Sequence, residues 1–207
     1  MAEATSKRKA RAGNGGYTPE VTRRALVESA IKLFGEKSYA ATSVQEITEA
    51  AGVTKGAFYH HFETKEDLLA LIHDEFADLY LAVLERVIEE NEDPADQLTE
   101  LLRAFVPMVE RYQASVTVFY QERRFLTGER FKAVKRKRDR FDRLFKGVID
   151  DGIEQGVFRD DLEPRIVLLG IVGMLSWVHQ WYRPSGRFTS VEIADIFAEL
   201  VLGGLRS

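Results

Sequence analysis

Thr42-Ser43-Val44-Gln45-Glu46-Ile47-Thr48-Glu49-Ala50-Ala51-Gly52-Val53-Thr54-Lys55-Gly56-Ala57-Phe58-Tyr59-His60-His61-Phe62 decides how the rest of the chain is read, because it spells two short helices joined by a tight turn. Ser43 followed three residues later by Glu46 has the form of a capping box, which starts a helix by satisfying its first free N–H groups. Gly52 supplies the positive φ that a tight turn between two helices requires. Ile47, Ala50, Ala51, Val53 and Phe58 fall on the inner faces, and the small alanines allow close backbone approach. Thr54, Lys55, Gly56, Tyr59, His60 and His61 then point outward from the second helix. A face of hydrogen-bond donors, one cation and one aromatic, with no bulk at its start, suits a helix that enters the major groove of duplex DNA.

The flanks support this reading. Upstream, Val21, Ala25, Leu26, Ala30, Leu33 and Phe34 recur at three- and four-residue steps, with Thr18-Pro19 as N-cap and N1 proline and Gly35 as the expected stop. Downstream, Thr64 and the acidic Glu66-Asp67 open a long periodic run from Leu68 to Val87 that ends near Asn91-Glu92-Asp93-Pro94. Five further helices are expected at roughly 95–112, 115–126, 129–155, 164–183 and 189–205, divided by Gly128, Gly156 and Pro184-Ser185-Gly186. Strand-like alternation is scarce, so the class is all-α. Residues 1–17, with Gly13-Asn14-Gly15-Gly16 and no apolar periodicity, read as a flexible basic arm. The expected division is this arm, a three-helix unit over 18–66 and a helical bundle over 67–207.

Composition excludes several alternatives. With 207 residues, 45% of them hydrophobic and 30% charged, the chain has material for a folded core. No stretch reaches the roughly 18–20 apolar residues of a membrane span, and no apolar segment follows the basic N-terminus, so a soluble, unexported, cytoplasmic protein is expected. The absence of cysteine removes disulfides, thiolate metal sites and thiol nucleophiles. His60 and His61 diverge by about 100° on a helix and His73 lies on another, so no metal site is expected. The net charge is -4, but residues 1–17 carry Lys7, Arg8, Lys9 and Arg11 against Glu3, and the acidity is concentrated beyond residue 66. No Gly-x-Ser-x-Gly, His-Glu-x-x-His, phosphate-loop or dinucleotide fingerprint occurs, so no catalytic residue, no cofactor and no enzyme activity are expected; a helical acyl-CoA-binding enzyme is the remote alternative.

Over residues 20–69 the sequence resembles the tetracycline-repressor (TetR) family of bacterial regulators. The resemblance is carried by Leu33-Phe34, Thr42-Ser43, Ile47, Ala50-Ala51-Gly52-Val53-Thr54-Lys55-Gly56, Phe58-Tyr59-His60-His61-Phe62 and Lys65-Glu66-Asp67-Leu68-Leu69. It implies a helix-turn-helix domain that binds a double-stranded DNA operator. Thr42 and Ser43 would cap the second helix and hold a phosphate, Lys55 and Gly56 would approach bases or phosphates, and Tyr59, His60 or His61 and Lys65 would contact the backbone. Ala57 stands where many relatives place Thr or Ser, which leaves specificity to Gln45, Thr54 and Lys55.

One recognition helix reads only a few base pairs, so a palindromic operator is expected to be bound by a homodimer whose two heads reach successive grooves about 34 Å apart. The nearly charge-free helices at 164–183 and 189–205 are the expected dimer surface, in agreement with the family. Phe105, Met108, Tyr112, Phe119, Tyr120, Phe141, Phe145, Met174, Trp177 and Trp181, together with Arg138 from the basic series Arg130–Lys146, are the candidate lining of an effector cavity. The segment Trp181–Leu205 looks like the branch of the family that controls fatty-acid or sterol catabolism, which implies release from DNA by an acyl-CoA thioester. A repressor of multidrug efflux that responds to hydrophobic drugs is the alternative.

Overall fold

The structure is a computed structural model that describes residues 18–206; the expected basic arm at 1–17 lies outside the described residues. Among the described residues the regular structure is entirely helical: α1 (Pro19–Lys37), α2 (Val44–Ala50), α3 (Lys55–His61), α4 (Lys65–Glu90), α5 (Pro94–Arg111), α6 (Gln113–Gln121), α7 (Gly128–Glu154), α8 (Pro164–Trp181) and α9 (Ser190–Leu205), with a 3-10 turn at Arg123–Phe125 after α6. The N-termini are written locally. Thr18, Ser43, Thr54, Thr64, Asp93, Glu163 and Thr189 each accept a backbone N–H of the helix they precede. Full capping boxes form at Ser43/Glu46, Thr64/Asp67 and Thr189/Glu192.

One expected stop is overridden. α1 runs through Gly35 to Lys37 and ends at Ser38, whose φ is 77°. A glycine inside a helix costs only about 1 kcal/mol. Here Gly35 faces Ala114 of α6, where an added Cβ would come within 3.7 Å of the alanine methyl. Gly35 thus lies within the α1–α6 contact, and the helix carries on past it for two residues.

α1, α2 and α3 form the compact N-terminal head around Leu26, Ala30, Phe34, Ile47 and Phe58, all buried. α4 leaves this head and runs beside α7, α5 packs along α9, and α1 lies over α6. The expected division between residues 66 and 67 falls within the first turn of α4. A single connected core continues from the head into the bundle through Leu68, Leu69 and Ile72 to Leu84, Leu98, Leu101, Phe145 and Ile149. No described helix is long and apolar enough to cross a membrane.

α8 and α9 each bury one side only. Leu168, Ile171, Leu175 and Val178 of α8, and Ile193, Ala194 and Ala198 of α9, face the core. Ile166, Leu169, Trp177 and Trp181 of α8, and Ile196 and Leu200 of α9, are exposed on the outside. The resulting bare apolar face carries exposed glycines at 170, 173, 203 and 204.

Candidate nucleic-acid interface and effector cavity

The turn between α2 and α3 is built as its sequence dictates. Gly52 adopts a φ of +66° and the Val53 N–H reaches back 2.9 Å to the Thr48 carbonyl. Ile47 and Phe58 are wholly buried beneath it, Ala51 and Val53 are half-buried, and Ala50 is exposed instead of packed inward. Thr54 accepts the Ala57 N–H at 3.2 Å and so fixes the start of α3.

The outer face of α3 presents Thr54, Lys55, Gly56, Tyr59 and His60 to solvent, with Tyr59 57% exposed. His61 is half-buried, and burial, followed by the nearby charges of His60 and Arg23, lowers its pKa. Lys55 has no ion pair or hydrogen bond among the described residues, so its full charge is available to an outside partner. A Cβ added at Gly56 would touch only the hydroxyl of Thr54, at 3.7 Å. Nothing among the described residues requires glycine there, whereas a surface approaching α3 would. Gln45 lies exposed on α2, with its amide resting on Glu49 at 2.9 Å.

Thr42 and Lys65 are placed otherwise than the resemblance implies. Ser43 alone caps α2. Thr42 is buried, and its hydroxyl donates to the Ser38 carbonyl at 2.8 Å, tying the connecting loop to the end of α1. A hydroxyl turned inward and already spent on a carbonyl is not placed to hold a phosphate. Lys65 donates to the Tyr39 and Thr42 carbonyls at 2.7 and 2.5 Å, and its ammonium sits 4.1 Å over the Tyr39 ring. Burial lowers its pKa, opposed by Glu122 and Glu46. Two of its three donors thus fasten α4 to the loop that leads into α2.

The bundle contains a narrow apolar cavity of about 60 Å³. Six of the anticipated residues line it: Phe105, Met108, Phe119, Tyr120, Arg138 and Phe141. The remaining walls include Phe76 and Tyr80 of α4 and Val172 and Leu175 of α8, which sequence reasoning missed because their spacing read as ordinary core. Arg138 and Asp142, one turn apart on α7, are its two charged residues, and burial raises the Asp142 pKa while Arg138 opposes that shift. Burial also raises the phenol pKa of Tyr80.

Five anticipated residues lie elsewhere. Tyr112, at the junction of α5 and α6, faces an open groove against α1. Phe145 is fully buried behind Phe141, their ring centroids 5.8 Å apart. Met174 borders a groove shared with α9. Trp177 and Trp181 are 63% and 44% exposed. The reason is angular: Trp177 follows the cavity-facing Leu175 by two residues, about 200° around a helix, and Trp181 repeats the position of Trp177 one turn later.

A third of the basic series on α7 is spent on α4. Arg130 pairs with Asp67, Lys137 with Asp74 and Asp78, and Arg140 with Glu85. Lys132, Lys135 and Lys146 pair along α7 itself. Arg136, Arg138 and Arg143 alone have no ion pair within the described residues. Further links join the end of α6 and the start of α7 to the head. Glu122 accepts the Tyr39 N–H at 3.2 Å, and Glu66 accepts the N–H and hydroxyl of Thr127 at 2.8 and 2.9 Å. α4 therefore carries part of the cavity wall at Phe76 and Tyr80 and, at its N-terminal end, the clamp on the head.

Comparison with known proteins agrees with this arrangement. Residues 26–72 match the family described as bacterial regulatory proteins of the tetR family, and residues 91–205 match the tetracyclin repressor-like C-terminal domain. The repressor KstR2 of Mycobacterium tuberculosis is 30% identical over 182 residues, 87% of this chain and 90% of that protein. Its structure, described as a ketosteroid transcriptional regulator, superposes with a TM-score of 0.83 over 89% of this chain and 95% of that one. AibR, solved in complex with isovaleryl coenzyme A and operator DNA, is 30% identical with a TM-score of 0.80, covering 86% of this chain and 97% of that one. PfmR of Thermus thermophilus is 32% identical with a TM-score of 0.80 over 88% of this chain and 99% of that one.

Proposed function

The chain belongs to the tetracycline-repressor family of bacterial transcriptional regulators and is a DNA-binding regulator, not an enzyme; from that premise we propose that it binds a palindromic operator as a homodimer and is released by an acyl-CoA thioester. The observation that carries this reading is the double role of α4, which walls the cavity with Phe76 and Tyr80 and holds the head through Lys65.

In the proposed DNA complex α3 enters the major groove. Gly56 permits close approach, Gln45, Thr54 and Lys55 reach base edges, with Lys55 also within range of phosphates, and Ser43, Tyr59, His60 and His61 engage the flanking backbone. Phosphate contacts of this kind position the head and contribute most of its salt-sensitive affinity. The second copy is held through the bare face of α8 and α9, where Ile166, Leu169, Trp177, Trp181, Ile196 and Leu200 are large exposed side chains and the glycines allow close helix approach. Contiguous exposed apolar surface of this extent is characteristic of an interface. Such a regulator works where the DNA is, in the cytoplasm.

The effector's apolar portion enters the cavity, with Arg138 and Asp142 as its polar contacts. At about 60 Å³ the cavity is far smaller than the roughly 300–1,000 Å³ of a typical ligand pocket. Binding therefore parts its walls, and because two of those wall residues sit on α4, the movement tilts the helix that holds the head. A ligand shifts the equilibrium only by its preference for one arrangement; a coupling of about 1–3 kcal/mol changes operator affinity roughly 5–150-fold. Kinship with AibR supports a CoA thioester as the class of effector. Fluorescence anisotropy of labelled duplexes, titrated at fixed salt with and without short- and medium-chain acyl-CoA thioesters, tests the proposal. Release by a thioester class is expected. Release by lipophilic drugs alone would favour the efflux reading.

A further inference from the structure

His73 is a fully buried histidine for which the fold provides no hydrogen-bond partner: neither ring nitrogen meets a donor or acceptor among the described residues. Buried polar side chains are nearly always satisfied, and an orphaned one is a cost that an aliphatic side chain of similar size would avoid. Its position gives that cost a purpose. His73 shares one face of α4 with Phe76 and Tyr80, at steps of three and seven residues, and both of those line the cavity. The imidazole lies against the ring of Phe119, centroids 5.2 Å apart, and Phe119 packs in turn on Phe76 and Tyr80 at 5.0 and 5.4 Å. Phe119 is thus the partition between the cavity and the histidine.

We propose that His73 is the recognition group at the inner end of the effector site, where it hydrogen-bonds a neutral keto or hydroxyl oxygen carried on the apolar part of the effector. This rests on the cavity being the effector site, as argued above, and extends it by naming the chemistry of the ligand's far end. His73 does not itself line the cavity; as the walls part, Phe119 moves off the imidazole and exposes it to the bound effector. Burial, reinforced by the charge of Arg138, keeps the imidazole neutral at physiological pH. A neutral imidazole offers one N–H donor and one acceptor nitrogen, so it serves a ketone through the first and a hydroxyl through either. A plain alkyl chain would leave the histidine unpaired, and so is bound less well than its oxygenated counterpart.

The test uses two matched pairs of probes on the full-length protein: octanoyl-CoA with 7-oxooctanoyl-CoA, and cumene with acetophenone, which carry the same contrast without CoA. Affinities are measured by calorimetry for wild type, His73→Leu and His73→Gln. The preference for the oxygenated member is expected to fall about tenfold in His73→Leu and to be partly kept in His73→Gln, which retains a donor and an acceptor. A His73-dependent preference in the CoA-free pair without binding of either thioester would uphold the role of His73 and overturn the thioester reading. A preference unchanged within twofold by both substitutions, or wild-type protein that binds neither pair, would overturn the role of His73. Should His73→Leu fail to fold, His73→Gln and His73→Phe carry the same comparison.

Discussion

Replacing Lys65 with Met separates two roles that a lysine at the start of α4 can have. The structure gives its ammonium two carbonyl acceptors, at 2.7 and 2.5 Å, and a ring face at 4.1 Å. Hydrogen bonds to a charged group are worth roughly 1.5–3 kcal/mol each. Halving their sum for the partial exposure of the site gives a loss of about 1.5–3 kcal/mol, since exposed charges are screened. For a chain of this size that lowers Tm by roughly 3–12 °C. Operator affinity falls as well, because the loop leading into α2 loses its anchor, but the salt dependence of binding stays as in wild type. Lys55→Ala is the contrast. That exposed lysine has no partner among the described residues, so its removal leaves Tm unchanged and, if each protomer loses one phosphate contact, reduces the slope of log affinity against log salt by about 1.8 for the dimer. Differential scanning calorimetry and anisotropy titrations across a salt series read both quantities. A Lys65→Met protein with wild-type Tm and a slope reduced by about 1.8 would refute the clamp and restore the direct phosphate contact that the family resemblance implies.

Other expectations follow from the same geometry. The Glu46 carboxyl is held down to about 2 by its hydrogen bond to Lys37, then by the N–H and hydroxyl of Ser43. Because its folded pKa lies below its unfolded value of 4.5, the stability it contributes is complete above pH 4.5 and is lost as pH falls toward 2. Acid unfolding followed by circular dichroism should lose part of its slope in that window in Glu46→Gln; an identical profile would contradict the capping role. Leu200→Glu, which places charge on the bare face of α9, should convert the dimer to monomer in sedimentation equilibrium at micromolar concentration and abolish binding to a full palindrome. A dimer of unchanged affinity would move the interface elsewhere. Gly152→Ala would bring a Cβ within 2.2 Å of the Phe158 ring. It should cost about 1–3 kcal/mol in chemical denaturation, as overpacked cores do.

The head was legible because its determinants are local. Ser43 and Glu46, Thr64 and Asp67, and Gly52 each act within four residues, and each does in the structure what its type and spacing predict. Gly35 reads as a stop in the local pattern, yet α1 continues through it to Lys37, and the glycine packs near Ala114, 79 positions away. Thr42 and Lys65 matched the family motif, but their partners are carbonyls of the loop between α1 and α2, visible only once that loop is folded. The cavity was half legible. An aromatic side chain on an amphipathic helix announces burial, and α8, apolar nearly all round, gives no sign of which side faces inward. The sequence therefore offers Trp177 and Trp181 as cavity lining, whereas they lie outside. Phe76 and Tyr80 went unnoticed as cavity wall because a core residue and a cavity residue share the same periodicity, and the difference lies in the gap across from them.

The central claim, that one dimer reads DNA with α3 and lets go when its bundle is filled, is tested most directly by anisotropy on labelled duplexes from the region upstream of its own gene. The titration is run at fixed salt with purified dimer and a panel of acyl-CoA thioesters. The account predicts specific binding to one palindromic duplex and a roughly 5–150-fold loss of affinity, in the range of about 1–3 kcal/mol of coupling, with one thioester class. Specific binding that no thioester alters, even when calorimetry shows that thioester to be bound, would contradict it.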